Sequence, residues 1–215
     1  MTTYKRRLAD LEEQLKGMPP ENKNRVQHFF REMYRELLTD SLTRLPLRMY
    51  FKEEAGRLIE QAERHNLPLS MMMLDIDNFK KEVNDNPKGY VSDGILYRWH
   101  DAGDKLLKDV GSIINASMRA GDEFCRYGGE EIVGCLPMTN VDQAYGAAER
   151  LRRKIERNTG HTVSIGLTAY PIVTKQPDLD MLISHADHAL KLAKDAGKNQ
   201  VVMYPNGMAS YAKIK

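Results

Sequence analysis

Two adjacent acidic residues, Glu130 and Glu131, directly follow a Gly-Gly pair and carry the most informative chemistry in the chain. Glycine accepts a positive φ at little steric cost, so the pair predicts a tight turn between strands at about 123–127 and 131–136. Neighbouring carboxylates resist joint ionisation unless a positive partner lies close, and a divalent cation would supply that partner. The alternative is a solvated hairpin that carries two surface glutamates.

A second acidic pair, Asp75 and Asp77, follows the apolar run 67–74. Such a run, with a proline near its start, predicts a buried central strand whose carboxylates lie at the carboxyl edge of a sheet. A lone aspartate after a strand would instead indicate a helix cap or a turn. Together with the Gly-Gly-Glu-Glu hairpin, the two acidic pairs predict a shared metal site.

The elements that must position these residues alternate between helices and strands. The predicted order is helix 47–65, strand 69–75, helix 79–85, helix 101–118, strand 123–127, strand 131–136, helix 141–157, strand 162–168, helix 178–196 and strand 199–204. This alternation around a central hairpin predicts an α/β (α+β) fold, with a palm-like antiparallel or mixed sheet and surrounding helices. We assign this domain to residues 40–215.

Residues 1–39 form a separate N-terminal helical extension. Apolar residues recur at helical spacing before and after an interrupting Pro19-Pro20 pair, which predicts two helices. They form either a dimerisation stalk or an arm packed on its own domain, because the repeat is too short to identify a coiled coil.

The composition predicts a soluble globular protein, since 41% of the 215 residues are hydrophobic and 29% are charged. No apolar run is long enough to span a membrane, and the charged N-terminus is unlike a secretory signal. The net charge of +2 does not indicate nucleic-acid binding. Cys125 and Cys135 lack the spacing of metal ligands, so we expect buried thiols in a reducing cytoplasm.

Several motifs, in one order along the chain, resemble those of the GGDEF domain of diguanylate cyclases. The resemblance extends from about Asp40 to Tyr204, roughly three quarters of the chain. The matching segments are Asp40–Arg48 (D-x-L-T-x-L-x-N-R), Asp75–Lys80 (D-x-D-x-F-K), His100–Asp104 (H-x-x-G-D), Arg126–Ile132 (R-Y-G-G-D/E-E-F), Thr162–Gly166, Ala186–Leu190, Ala193-Lys194 and Gly197–Asn199. Each motif alone is weak evidence, and their common order identifies the family.

The resemblance implies that two GTP molecules are condensed into cyclic dimeric GMP, with release of pyrophosphate. Each domain would bind one GTP, so that catalysis requires a homodimer whose half-sites face each other. Asp75, Glu130 and the backbone carbonyl of Ile76 would hold Mg²⁺ or Mn²⁺, with Glu131 as an auxiliary catalytic carboxylate.

The same resemblance assigns the contacts to the triphosphate of GTP. Backbone N–H groups of Asn78, Phe79 and Lys80, at the start of a helix, would cradle phosphates. Lys194 and Lys198 would hold the terminal phosphates. Without the resemblance, these lysines would indicate a solvated helix end, where cations are favoured in any case.

Two residues are implied in guanine recognition, Asp104 and Asn84. The Asp104 carboxylate suits the N–H donors of guanine and offers little to adenine. Asn84 lies one residue further from Phe79 than in the family, a rotation of roughly 100° on a helix. Residues 86–99 contain an insertion relative to the family, which is either a lid or a surface loop.

Arg119 and Asp122 resemble the R-x-x-D inhibitory product site of this family, with Arg150 as a third candidate. Arginine can pair with phosphates and stack on purines, and aspartate can accept hydrogen bonds from guanine. Cyclic dimeric GMP would then be an inhibitor as well as the product. The alternative is a surface turn that leads into a strand.

Three functions therefore stay open from the sequence. The preferred one is an active, cytoplasmic diguanylate cyclase with no membrane or nucleic-acid partner. The shift of Asn84 and the insertion favour a related cyclase that accepts ATP, whereas Asp104 argues against it. The third is a catalytically silent nucleotide-binding domain that signals by contact, and the intact acidic residues argue against it.

Overall fold

The computed structural model divides the chain into two units, residues 1–38 and residues 39–215. It describes residues 10, 13–84, 86, 88–171 and 178–204, without the side chains of residues 31, 32, 34–36, 82 and 84. No helix in these ranges is long and apolar enough to cross a membrane.

The first unit contains helix α1, Pro20–Leu37. Proline is favoured at the first position of a helix because the N–H group that it lacks would have no intrahelical partner there. This helix confirms the second of the two helices expected in the N-terminal extension. Most of the first one, including Leu8 and Leu11, lies outside the described residues.

The second unit is built on a five-stranded mixed sheet. Its strands are β1 (Leu69–Ile76), β4 (Glu123–Gly128), β5 (Glu131–Pro137), β6 (Val163–Tyr170) and β7 (Val201–Met203), in the spatial order β4-β5-β1-β6-β7. The central strand β1 is antiparallel to both β5 and β6, and all of its eight residues are buried. Strand β7 pairs in parallel with β6.

Four helices cover the two faces of this sheet. They are α2 (Arg48–His65), α3 (His100–Asn115), α4 (Val141–Thr159) and α5 (Leu179–Asp195). Side chains of β1 alternate between two hydrophobic clusters, with Met72 and Leu74 packed with α3 and α4, and Met71 and Met73 packed with α2 and α5. This alternation is the period of two expected of a strand with both faces covered. The predicted sheet with surrounding helices is confirmed.

The contact between β6 and α5 depends on Gly166. A Cβ atom at this position would lie 2.0 Å from the carbonyl oxygen of Ala186 and 2.2 Å from the amide nitrogen of Leu190. Only glycine therefore allows the helix backbone to approach the strand this closely. This packing determines where the C-terminal end of α5, with Lys194, lies relative to the sheet.

The insertion is a β-hairpin packed on α3, with strands β2 (Tyr90–Ser92) and β3 (Ile95–Tyr97). Its two turn residues, Asp93 and Gly94, both have a positive φ, as two-residue hairpin turns commonly require. Tyr90 is buried, and its hydroxyl donates to Asp109 Oδ2 at 2.8 Å. The insertion is therefore a folded and anchored element.

Candidate active site

The register of β1 against β5 brings the two acidic segments together. Asp75, next to last in β1, lies directly opposite Glu131, the first residue of β5. Glu130 precedes it in the turn, where Gly129 has a φ of +46°. Asp75 and Glu131, 56 positions apart in sequence, thus become cross-strand neighbours at one edge of the sheet.

Asp75 is a buried carboxylate with one close cation. Its side chain is 7% exposed, and Lys194 Nζ lies 2.8 Å from its Oδ1. Burial raises the pKa of Asp75 to about 6; the hydrogen bond and charge of Lys194 oppose this rise, and the charges of Glu130 and Glu131 add to it. Three carboxylates close enough to repel one another favour a cation at this edge.

The donor set fits a hard divalent cation, although it is not a complete cage. Within the described ranges, no three His, Cys, Asp or Glu side chains lie together as a group that could hold a metal ion. A site for Mg²⁺ commonly takes only one or two carboxylates, with water and substrate phosphates as the remaining ligands. Asp75 and Glu130 supply that number.

Asp77 has a different role from Asp75. It is 2% exposed and accepts hydrogen bonds from the hydroxyls of Thr162 and Ser164, both at 2.7 Å, and from the backbone N–H of Asn199 at 3.0 Å. These contacts tie the end of β1 to β6 and to the loop after α5. Asp77 is therefore a structural carboxylate, and of the second acidic pair it is Asp75 that lies opposite Glu131 in the strand register.

The phosphate-binding candidates include residues that follow β1 and two lysines that reach its end. Asn78 has a φ of +55° and precedes a six-residue π-helical segment, Phe79–Asn84, where the sequence predicts a helix over 79–85. Lys198 donates a hydrogen bond to the side chain of Asn78. With Lys194 on Asp75, two lysines from the C-terminal part of the domain reach the end of β1. The side chain of Asn84 lies outside the described part of the structure.

A cleft of about 380 Å³ opens beside the hairpin turn. It contains four residues expected from the sequence, Phe79, Lys80, Asp104 and Glu130. The remaining lining residues are His100, Gly103, Leu107, Arg126 and Gly129. A carboxylate on α3 and the hairpin carboxylate thus share one concave surface, as a site for a small polar ligand requires.

The three inhibitory-site candidates, Arg119, Asp122 and Arg150, line a second cavity of about 280 Å³. Asp122 Oδ2 accepts a hydrogen bond from the backbone N–H of Arg119 at 2.9 Å. Burial raises the pKa of Asp122, although the hydrogen bond from Arg119 and its charge oppose the rise. Two arginines and a carboxylate around one cavity can bind an anionic ligand that carries a base.

Comparison with known families identifies the domain. The family described as "Diguanylate cyclase, GGDEF domain" matches residues 37–200. The chain belongs to this family. The GGDEF resemblance inferred from the motifs is thereby confirmed.

Named diguanylate cyclases are similar to this GGDEF domain over most of the chain. Diguanylate cyclase DosC of Escherichia coli is 30% identical over 187 residues, which cover 83% of this chain and 38% of DosC. The response regulator PleD of Caulobacter vibrioides is 33% identical over 175 residues, 77% of this chain and 36% of PleD. The chain thus spans well under half the length of these relatives.

Solved GGDEF structures have the same fold. The GGDEF domain of DgcB from Caulobacter crescentus, in complex with c-di-GMP, matches with a TM-score of 0.68 at 27% identity, covering 78% of this chain and 93% of that one. Diguanylate cyclase SiaD from Pseudomonas aeruginosa, in complex with its activator SiaC, matches with a TM-score of 0.69 at 28% identity. This match covers 93% of this chain and 74% of that one.

Some residues of this GGDEF domain were missed as site candidates from the sequence. His100, Gly103 and Leu107 line the cleft with Asp104 and lie on one face of α3. Their spacing of three and four residues was a usable signal, because such positions share a helix face. His100, Gly103 and Arg126 also stand in the motifs that carry the family resemblance, but the motifs alone do not show that Arg126 lines the cleft, since its place depends on how the hairpin packs.

Proposed function

We propose that the protein is a diguanylate cyclase that condenses two GTP molecules into cyclic dimeric GMP and releases two pyrophosphates. The observation that carries the proposal is the pairing of Asp75 with Glu131, which brings the β1 carboxylate beside the Gly-Gly-Glu-Glu turn. The membership of the chain in the GGDEF family supports the reaction class.

Each chain would supply one half-site to a homodimer. The 3′-hydroxyl of one GTP attacks the α-phosphate of the other; a new P–O bond forms, the bond to the leaving pyrophosphate breaks, and the hydroxyl proton passes to solvent. The same step in the opposite direction closes the ring. Because one cleft binds one nucleotide, two chains must meet with their clefts facing each other.

Asp75, Glu130 and the backbone carbonyl of Ile76 would hold Mg²⁺ or Mn²⁺, as expected from the sequence. When bound, such a cation neutralises phosphate charge and favours loss of the proton from the attacking hydroxyl. Glu131 keeps a further negative charge at this edge. Lys194 and Lys198 bind the terminal phosphates, which carry the charge that leaves with pyrophosphate.

Guanine recognition is assigned to Asp104, with Asn84 as its expected partner. A carboxylate accepts hydrogen bonds from N1–H and the exocyclic amino group of guanine. Adenine presents an acceptor at N1 and has no amino group at position 2, so it would leave Asp104 unsatisfied. The position of Asp104 in the cleft with Phe79 and Lys80 supports this assignment.

The cavity around Arg119, Asp122 and Arg150 is proposed as the inhibitory product site. A pair of guanidinium groups can bind the two phosphates of a cyclic dinucleotide, and each can also stack on a purine. The complex of the related DgcB domain with c-di-GMP supports binding of the product by this family.

Residues 1–39 are proposed as a dimerisation stalk. In α1, Phe29, Met33 and Leu37 recur every four residues and are 65%, 36% and 71% exposed. An apolar stripe on one helix face is commonly covered by a partner helix. A second copy of α1 is the partner that the condensation of two substrates requires.

The test of the enzymatic proposal is product identification. Purified protein is incubated with GTP, with ATP, or with both in the presence of Mg²⁺, and products are identified by chromatography and mass spectrometry. Cyclic dimeric GMP and pyrophosphate from GTP alone are expected. Glu130→Gln should abolish turnover, whereas the exposed control Glu60→Gln should keep it. A cyclic dinucleotide made from ATP alone, or no product, would overturn the proposal.

A further inference from the structure

Arg152 on α4 reaches out of its helix to the loop that follows α5. Its guanidinium is held by Glu149 and Glu156, at 3.1 Å each, and its Nη1 donates to Asn199 Oδ1 at 2.5 Å. The Arg152 side chain is only 12% exposed. Such a charge-assisted network, shielded from water, fixes a side chain better than a surface ion pair does.

Asn199 uses its side chain and its backbone to hold the loop. Besides accepting from Arg152, its Nδ2 donates to Glu156 Oε1 at 3.1 Å, and its backbone N–H donates to Asp77 Oδ2 at 3.0 Å. The loop is thereby attached to α4 on one side and to the end of β1 on the other.

The backbone of this loop needs such support. Lys198 and Asn199 have φ values of +64° and +47°, so two successive residues other than glycine lie in the left-handed region. This conformation is unfavourable for a residue with a Cβ atom and persists where surrounding contacts over-determine it. The side chain of Lys198 points from this backbone to Asn78, at the proposed phosphate cradle.

We infer that Arg152 and Asn199 are positioning residues that hold Lys198 where it meets the terminal phosphates of GTP. This inference rests on the proposed function and adds two residues outside the substrate pocket to it. Neither residue touches the substrate; they act through the conformation of the loop. Loss of either should weaken binding of the triphosphate while leaving binding of the nucleoside monophosphate portion unchanged.

The experiment compares two ligands on the full chain. Because the 3′-hydroxyl is the nucleophile of the proposed reaction, 3′-deoxy-GTP binds without turnover, and 3′-deoxy-GMP lacks the terminal phosphates. Titration calorimetry with Mg²⁺ measures both dissociation constants for the wild type, Arg152→Ala and Asn199→Gly. Glycine at position 199 accepts the positive φ, so that variant removes only side-chain contacts.

Both variants should lose roughly tenfold in affinity for 3′-deoxy-GTP and keep their affinity for 3′-deoxy-GMP. Arg153→Ala is the matched control, because Arg153 also binds Glu149, at 3.2 Å, but is 74% exposed. It should match the wild type with both ligands.

Equal losses for the two ligands, or no loss for either, would overturn the positioning role. Retained binding of 3′-deoxy-GMP also reports that a variant is folded. If the wild type binds neither ligand and makes no product, the proposed function itself fails, which separates that outcome from failure of the inference alone.

Discussion

Arg126 donates from its Nε to the carbonyl oxygen of Gly129 at 2.8 Å, across the turn that carries Glu130. Its Nη1 lies 3.4 Å from Asp40 Oδ1, so an acidic residue from the first motif of the domain holds the arginine that braces the turn. Asp40 is itself fixed by the backbone N–H and hydroxyl of Thr43, both at 2.8 Å.

Asp40→Asn should therefore lower stability and loosen the catalytic turn. Burial acts to raise the pKa of Asp40, but the hydrogen bonds from Thr43 and the charge of Arg126 outweigh it, so the pKa is lowered. A lowered pKa contributes stability above about pH 4 that is lost as the pH falls further. At pH 7 we expect a loss of about 1 kcal/mol in the free energy of unfolding.

Chemical denaturation at pH 7 and pH 3 measures this contribution. The difference between Asp40→Asn and the wild type should shrink at the lower pH, because the carboxyl of the unfolded chain takes up a proton at a higher pH than the lowered carboxyl of the folded protein does. An equal difference in the free energy of unfolding at pH 7 and pH 3 would show that the charge on Asp40 does not contribute to stability. GTP turnover by the variant, measured under conditions in which it is fully folded, should also fall.

Asp104→Ser should weaken the preference for GTP over ATP, because the carboxylate that accepts from guanine is lost. We expect at least a tenfold drop in kcat/KM for GTP, with little change for ATP. Asp101→Ser is the control, since Asp101 is also an exposed acid in the first turn of α3 but does not line the cleft. An unchanged nucleotide preference would place recognition elsewhere, for example in the β2–β3 hairpin.

Asp75→Asn should stabilise the metal-free protein at pH 7 while it abolishes activity. The pKa of Asp75 is raised to about 6 in the fold, chiefly by burial, so keeping this carboxyl ionised costs stability above that pH. The gain should be on the order of 1–2 kcal/mol, because Lys194 loses its partner at the same time.

Thermal unfolding in EDTA tests the sign of this effect. The folded wild type takes up a proton as the pH falls below about 6, whereas the unfolded chain does so only near pH 4. As the pH falls from about 6 to about 4, the stability of the wild type should thus rise relative to that of the variant. The stability advantage of Asp75→Asn should disappear near pH 4. A variant that is less stable than the wild type at pH 7 contradicts the prediction.

Removal of residues 1–39 should lower specific activity most at low protein concentration. If the extension brings two catalytic domains together, its loss lowers their effective concentration and not the chemistry of each half-site. Activity per chain should therefore recover as the concentration of the truncated protein rises. The matched experiment keeps the stalk and changes Phe29→Glu, which should reproduce the defect. Full activity of the truncated chain at every concentration would show that the extension is a passive arm.

Local patterns in the sequence were sufficient to predict most of the helices and strands and to identify the family. The apolar run before Asp75 and the Gly-Gly turn before Glu130 each specify a strand end through nearest neighbours in the chain, so β1, β4 and β5 were predicted nearly to the residue. The sequence does not decide whether the insertion is a lid or a surface loop, because its strands are three residues each and carry little periodicity.

The partners of the acidic residues were decided only by the tertiary structure. Asp75 and Asp77 are equivalent in the pattern of an apolar run followed by acidic residues, and before the structure only the family resemblance distinguished them. In the structure Asp75 lies beside Glu131 and Lys194, whereas Asp77 accepts hydrogen bonds from Thr162, Ser164 and Asn199. Strand register and the approach of α5 at Gly166 set these contacts across tens of residues. Such long-range packing arises from the whole core and leaves no signal in the spacing of neighbouring residues.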